Sequence, residues 1–294
     1  MQVLSLVKSY RLLIALTVAF CGYAFIGRIS RPPTPPVNPA QVKVSKDNVE
    51  SQKDFTMQDL LNLAESSLDH LSHNLVDYTA RFEKIEVNEN SHQLEKTVMQ
   101  LKVQTRFRNM TLDAPRRIYL RFSEPSSVSG REVIWRQDLY NGKMAVHEPG
   151  FLLNLKTIWL DPNGILAMQG QRHPISEVGI VKLTEQLIQR GKEDLDNHLL
   201  SIGLQTNHKH DDLSTHLITI IKNQTSNIEG DYGRAEIVFD PERNLVLSFR
   251  SYATPTSPSD SPQLIESYSY HNLQVNVGLA ESDFDVTNEQ YDFP

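Results

Sequence analysis

Apolar and polar side chains alternate along most of the chain from residue 77 onward. In Leu94–Arg108, Met99, Leu101, Val103, Thr105 and Phe107 share one face, and Lys102, Gln104, Arg106 and Arg108 share the other. That period of two marks a strand with one dry and one wet side. Asp77–Val87 alternates in the same way. Ile118, Leu120 and Phe122 then oppose Arg117, Tyr119 and Arg121. Arg131–Gln137 and Lys143–Glu148 flank Asn141-Gly142, which suits a two-residue hairpin because both turn positions need positive φ. His198–His210 begins as a strand and ends as a polar loop. Thr215–Asn223, Ala235–Asp240, Leu245–Ala253 and Gln263–Val277 read as further strands.

Two stretches break the alternation with a helical period. In Thr56–Leu75, Met57, Leu60, Leu61, Ala64, Leu68, Leu71 and Leu75 line one face. Thr56 or Asp54 can cap its start, and Asp59 suits the first turn. Pro174 sets up a second helix over about Ile175–Leu195. Phe151–Leu160 reads as a strand, a short helix or a flap, and Ile165–Arg172 is ambiguous. About nine or ten strands and two main helices define an α+β fold, a curled antiparallel sheet with helices on one face.

The N-terminus belongs to a different regime. Leu12–Gly27 is uncharged and apolar, and Lys8, Arg11, Arg28 and Arg31 bracket it. At about 16 residues it lies between a signal-peptide core and a membrane span. Residues 1–30 therefore read as an uncleaved membrane anchor, with a cleaved signal segment as the alternative. The proline-rich start of residues 31–54 makes that stretch a stiff, then polar, linker. Residues 55–294 form a single domain. This order implies that the domain lies outside the cytoplasm, tethered to a membrane by residues 12–27.

Charge and cysteine count narrow the chemistry. Residues 1–54 carry seven Lys/Arg and three acids, the remainder 22 and 33, so the tail is +4 and the domain −11. An acidic domain is a poor partner for phosphate backbones, which argues against nucleic acid. Cys21 stands alone, so neither an intramolecular disulfide nor a cysteine zinc site can form. No nucleophile elbow, P-loop or dinucleotide fingerprint occurs. His147-Glu148 begins like a zinc-protease motif, but Phe151 stands where the second histidine belongs. Asn207–Asp212 holds two histidines and two acids, yet a loop rarely preorganises a metal. A hydrolase would have to gather His147, His173, Glu132 and Glu177. The pattern favours no cofactor, no metal and no catalysis.

The inward face supplies a binding reading instead. Met99, Leu101, Val103, Leu120, Phe122 and Trp135, with Phe151, Leu152 and Trp159, are the candidate lining of an apolar hollow. Alternatively the same residues are simply core, in a protein–protein interaction or sensor module. Arg121, Arg131, Glu132, His147 and Glu177 are candidate polar groups at the rim.

Several motifs carry a family resemblance: YLRFSEP (119–125), GREVIW (130–135), HEPG (147–150), LDPNG (160–164), RHPISEVGI (172–180) and YSYHNLQVNVGLAESDFD (268–285). Together, over about residues 57–293, they resemble the bacterial family named domain of unknown function 1571. The family positions include Arg121, Pro125, Gly130, Arg131, Glu132, Gly142, His147, Pro174, Glu177 and Gly179, and no catalytic role comes with them. More distantly, Arg117, Phe122 and Pro125 at a strand exit, followed by the Asn-Gly pair, are similar to periplasmic lipoprotein carriers of the LolA/LolB type. That similarity implies an incomplete barrel with the helices on its concave side. It also implies a lipid, acyl chain or lipoprotein as the partner.

Overall fold

The computed structural model describes residues 55–88, 92–108, 111–150, 154–222, 232–255 and 261–294. The expected anchor, the linker and the side chains of Phe151 and Leu152 lie outside the described residues. Lys53–Pro294 forms one compact unit. No helix among the described residues is long and apolar enough to cross a membrane.

Among the described residues, alternation becomes eleven strands in one antiparallel sheet. They are β1 (Asp77–Val87), β2 (Leu94–Gln104), β3 (Arg117–Glu124), β4 (Glu132–Arg136), β5 (Met144–His147) and β6 (Ile158–Leu160). A second run comprises β7 (Leu200–His210), β8 (Leu213–Lys222), β9 (Tyr232–Asp240), β10 (Leu245–Ala253) and β11 (Leu264–Val275). The spatial order is β6-β5-β4-β3-β2-β1-β11-β10-β9-β8-β7. Each run is a meander of neighbours, and pairing of the long strands β1 and β11 fuses the two. The sheet does not close, so β6 and β7 are its edges.

Strand count and extent correct the sequence expectation of nine or ten. The additional strand is β6, three residues inside the ambiguous apolar run. β7 continues as a strand through His210, where a polar loop was expected, because its ladder to β8 resumes after a register shift between Gln205 and His208. The Asn141-Gly142 turn is also longer than a two-residue hairpin. Trp135 pairs with Met144, and Tyr140, Asn141 and Gly142 all take positive φ in the connection. The Trp135 indole N–H donates to the Gly142 carbonyl at 3.1 Å and holds the turn against the strand.

Among the described residues, three α-helices join the sheet: α1 (Met57–Asn74), a single turn α2 (Ile165–Met168) and α3 (Ile180–Glu193). Thr56 caps α1 through a reciprocal box with Asp59. The Ser67 hydroxyl donates to the Asn244 carbonyl at 2.7 Å and pins α1 to the β9–β10 hairpin. The second helix starts five residues later than the sequence implied. Ile175–Glu177 is a 3-10 turn, and the chain resets at Gly179, with φ 125° and ψ 155°. The reset has a cause. The buried Arg116 guanidinium donates to the carbonyls of Ser176 and Val178. The Tyr78 hydroxyl accepts the Ile180 N–H at 3.0 Å. Those groups would otherwise be spent on an unbroken helix.

The core divides by face. One continuous cluster joins α1 and α3 to Tyr78, Phe82, Met99, Leu101 and Ile118, and to Ile218, Ile237 and Leu247 across the sheet. On the opposite face, Tyr119, Ile134 and Ala145 pack under Phe284 and Tyr291 of the C-terminal segment. Burial on both faces explains why every residue of β4 is buried.

At Gly179 a Cβ would lie 2.9 Å from the Tyr78 hydroxyl oxygen, in a φ region that L-residues rarely adopt. Gly179→Ala is expected to destabilise the domain by about 1–3 kcal/mol, measured by urea denaturation. A change inside experimental error would mean that the reset is not under constraint.

Candidate functional site

Helices α1 and α3 lie side by side on the inner face of the sheet. Their approach is close at Gly191, where a Cβ would fall 2.8 Å from Leu61 Cδ2. Lys192 and Glu65 add an ion pair at 2.7 Å. The helices do not fill the space beneath them. A cavity of about 400 Å³ remains between α1, α3 and strands β8 to β11. That is within the range of small-molecule sites.

Its walls come from the alternation itself. Met57, Leu60 and Leu61 contribute from α1, and Leu183 and Leu187 from α3. Ile218, Ile220, Ile237 and Phe239 contribute from β8 and β9. Ile218 faces Ile237 and Ile220 faces Ala235 across the ladder, so one strand face supplies the apolar floor.

Polar groups line the cavity as well: Gln186, Gln189 and Arg190 from α3, and a cluster of His173, Ser251, Glu266 and Tyr268. The pairing of Lys84 with Tyr268 and of Glu86 with Glu266 draws two charged residues of β1 alongside. The Tyr268 hydroxyl lies 2.7 Å from Glu86 Oε1 and 3.0 Å from Glu266 Oε2. Lys84 Nζ is 2.9 Å from Glu86 Oε2. The Ser251 hydroxyl donates to Glu266 Oε1 at 3.1 Å. His173 bridges two carboxylates, with Nδ1 3.0 Å from Glu177 Oε2 and Nε2 3.5 Å from Glu266 Oε2.

These contacts set the protonation states. The Glu266 hydrogen bond raises the His173 pKa; burial opposes it, and the charges of Glu266 and Glu177 reinforce it. Burial alone would raise Glu266, but hydrogen bonds from His173 and Tyr268 and the charges of Arg172 and His173 hold its carboxyl below the ordinary value. Burial, then the Glu266 and Glu86 carboxylates, push the Tyr268 hydroxyl up, so it stays a donor. The cluster is a network whose charges answer one another, a suitable boundary between an apolar cavity and solvent.

The sequence-derived candidates distribute differently. Met99, Leu101, Val103, Leu120 and Trp135 are buried in the main core, and none of them lines the cavity. Phe122 is half-buried beneath the Arg131 guanidinium, 5.6 Å from its ring centre. Trp159 is exposed on edge strand β6 and packs on Tyr140 at 4.5 Å. Glu177 alone of the polar candidates joins the cavity network.

Arg121, Glu132 and His147 occupy the outer face instead. The fully buried Glu132 accepts from the Tyr119 hydroxyl at 2.6 Å, from Arg121 at 3.2 Å and from the Asp292 N–H at 2.7 Å. His147 sits across the ladder from Glu132, with Phe293 over its ring. Its Nδ1 has no hydrogen-bond partner among the described residues. Arg131 pairs with Glu148 at 2.7 Å. His147 and Glu132 are thus separated by the sheet from His173 and Glu177, and the four do not converge on one substrate.

Lys84, Glu86, Glu266 and Tyr268 escaped the sequence reading. The signal was present in β1, where Tyr78, Ala80, Phe82, Lys84 and Glu86 share a face that turns from apolar to charged. β11 repeats the turn with Tyr270, Tyr268 and Glu266.

The arrangement defines a class: an open antiparallel sheet with two helices laid over an apolar cavity that has a polar boundary. Residues 75–293 match the family described as Protein of unknown function (DUF1571), and the chain belongs to that family. No curated protein matches the chain in sequence. Among solved structures, it is similar to the lipoprotein LppX of Mycobacterium tuberculosis, at 13% identity and TM-score 0.41 over 78% of this chain and 99% of that one. It is similar to the Pseudomonas aeruginosa MucA/MucB complex, at 12% identity and TM-score 0.40 over 77% and 60%. A LolA superfamily protein from Nitrosomonas europaea matches at 10% identity and TM-score 0.31 over 76% and 97%. These superpositions are loose and carry no functional weight.

The raised His173 pKa predicts a pH dependence. Its contribution to stability is fully present below the ordinary imidazole value of 6.5 and is lost as pH rises through the raised value. Wild-type protein should therefore lose more unfolding free energy than His173→Gln as pH increases from about 6 to about 8.5. Parallel pH profiles of the two proteins in urea would rule out a bridging role for the imidazole.

Proposed function

We propose that this is an extracytoplasmic binding protein that holds a single acyl chain, alone or as part of a lipid, in the cavity between α1, α3 and β8 to β11. The apolar floor and walls of that cavity, ending in a polar boundary, carry the reading. An apolar ligand gains about 25 cal/mol for each Å² of surface removed from water, while its polar end meets the His173, Ser251 and Glu266 side chains. Size supports one chain. An apolar cavity of about 150 Å³ takes a benzene, so about 400 Å³ suits one extended chain rather than the several of a lipoprotein.

In this reading the sheet is an incomplete barrel with the helices on its concave side. Residues 12–27 hold the protein in the inner membrane with the domain on the periplasmic side. Binding rather than catalysis is supported by the polar groups at the boundary, which are engaged with one another, and by the separation of His147 and Glu132 from His173 and Glu177.

Native mass spectrometry of detergent-free Lys53–Pro294, with uptake of a fluorescent fatty acid, tests the proposal. One probe per chain is expected, and Ile220→Trp or Ala235→Phe should weaken uptake by about tenfold, roughly 1.4 kcal/mol, with the circular dichroism spectrum retained. No co-purifying lipid and no probe uptake by the folded wild type would exclude the proposal.

A further inference from the structure

The tip of the β7–β8 hairpin reaches much farther than its place in the sheet suggests. Three strands separate β7 from β11, a path of about 19 Å at ordinary strand spacing. Yet His210 Nε2 lies 2.9 Å from the Tyr270 carbonyl, and Asp211 Oδ1 lies 2.7 Å from His271 Nδ1. The register shift between Gln205 and His208 accounts for the bend, because an irregularity of this kind lets a strand fold over its neighbours.

The bend gathers His210, Asp211 and His271. Each offers one ligand atom, and all three atoms lie within 4.8 Å of one another. A carbonyl only accepts, so the contact to Tyr270 places the His210 proton on Nε2 and leaves the lone pair on Nδ1. A backbone carbonyl holding the far nitrogen is the usual way a metal-binding imidazole is oriented. The Asn272 N–H donates to Asp211 Oδ2 at 3.0 Å and orients the carboxylate. The two imidazoles are near-parallel, at 11° and 4.9 Å between centres. Two cations stand near: Arg250, which repels charge on His210, and Arg81, the ladder partner of His271. Arg81 is drawn to Glu83 at 3.4 Å.

We propose that His210, Asp211 and His271 form a binding site for a divalent first-row metal ion, Zn²⁺ foremost, that fastens the β7–β8 tip to β11. Two imidazoles and one carboxylate suit Zn²⁺, with a fourth position for water. The ion takes the place of the His271–Asp211 hydrogen bond and adds a bond to His210. Affinity falls in acid, since a ligating imidazole must be unprotonated. The sequence reading argued against a metal here because it treated residues 207–212 as a loop, which rarely preorganises one. The structure makes residues 207–210 a strand and brings His271 from 60 residues away. The site lies apart from the cavity residues, so it stands or falls independently of acyl-chain binding.

Calorimetric titration of the chelator-stripped full chain with Zn²⁺, and absorption spectroscopy with Co²⁺, test the site. One ion per chain is expected. His271→Gln and Asp211→Asn, at partly or fully exposed positions, should each weaken binding by about tenfold or more without changing the circular dichroism spectrum. Zn²⁺ should also slow hydrogen exchange at the amides of Leu213–Thr215 in the wild type. Absence of binding, or equal affinity in the His271→Gln/Asp211→Asn double variant, would overturn the proposal. So would binding that leaves exchange at the hairpin tip unaltered.

Discussion

Pairing of β1 with β11 is the contact on which the rest of the molecule depends. It joins the two meanders through β1 and β11, long strands that lie almost 180 residues apart in the chain. Without it, β1 to β6 and β7 to β11 would be separate sheets, each with a long exposed edge. The same register stacks Phe82 on Tyr270 at 4.9 Å and sets Lys84 and Glu86 beside Tyr268 and Glu266. Core and polar boundary therefore come from one alignment. A slip of one residue would turn the aromatic pair outward and scatter the charges.

The two halves of the sheet then meet different fates. Under β1 to β5 the inner face carries Met99, Leu101, Ile118, Leu120 and Trp135, which are buried in the main core. Their outer face is sealed by the C-terminal segment, with Tyr291 stacked on Tyr119 at 4.2 Å and Glu132 satisfied beneath it. Under β8 to β11 the covering elements are helices. Cylinders that touch at Gly191 and Leu61 cannot also follow every contour of the twisted sheet below them, and space remains.

Much of the architecture was legible in the residues. The period of two located ten strands to within a few residues, and the period of 3.6 with Thr56 located α1, because both report local backbone geometry against one buried face. Motifs spread over residues 57–293 carried the family. Misreadings fell where a distant group overrides a local signal: at Gly179, where Arg116 and Tyr78 take the hydrogen bonds of a longer helix, and at His208–His210, where pairing with β8 turns polar residues into a strand. The site was less legible. Inwardness could be read for Leu101 or Trp135, but an inward residue serves a packed core and a cavity equally.

By itself, then, the sequence determined which side of each strand faces inward, where the main helices lie and which family the chain joins. Those properties depend on neighbours along the chain. Tertiary structure alone decided which half of the inner face stays open. It also decided that Glu86 meets Glu266 and Tyr268, and that His210 and Asp211 reach His271. These meetings arise from strand order and from the bending of a hairpin across it, and nothing in the local pattern of either segment encodes the partner.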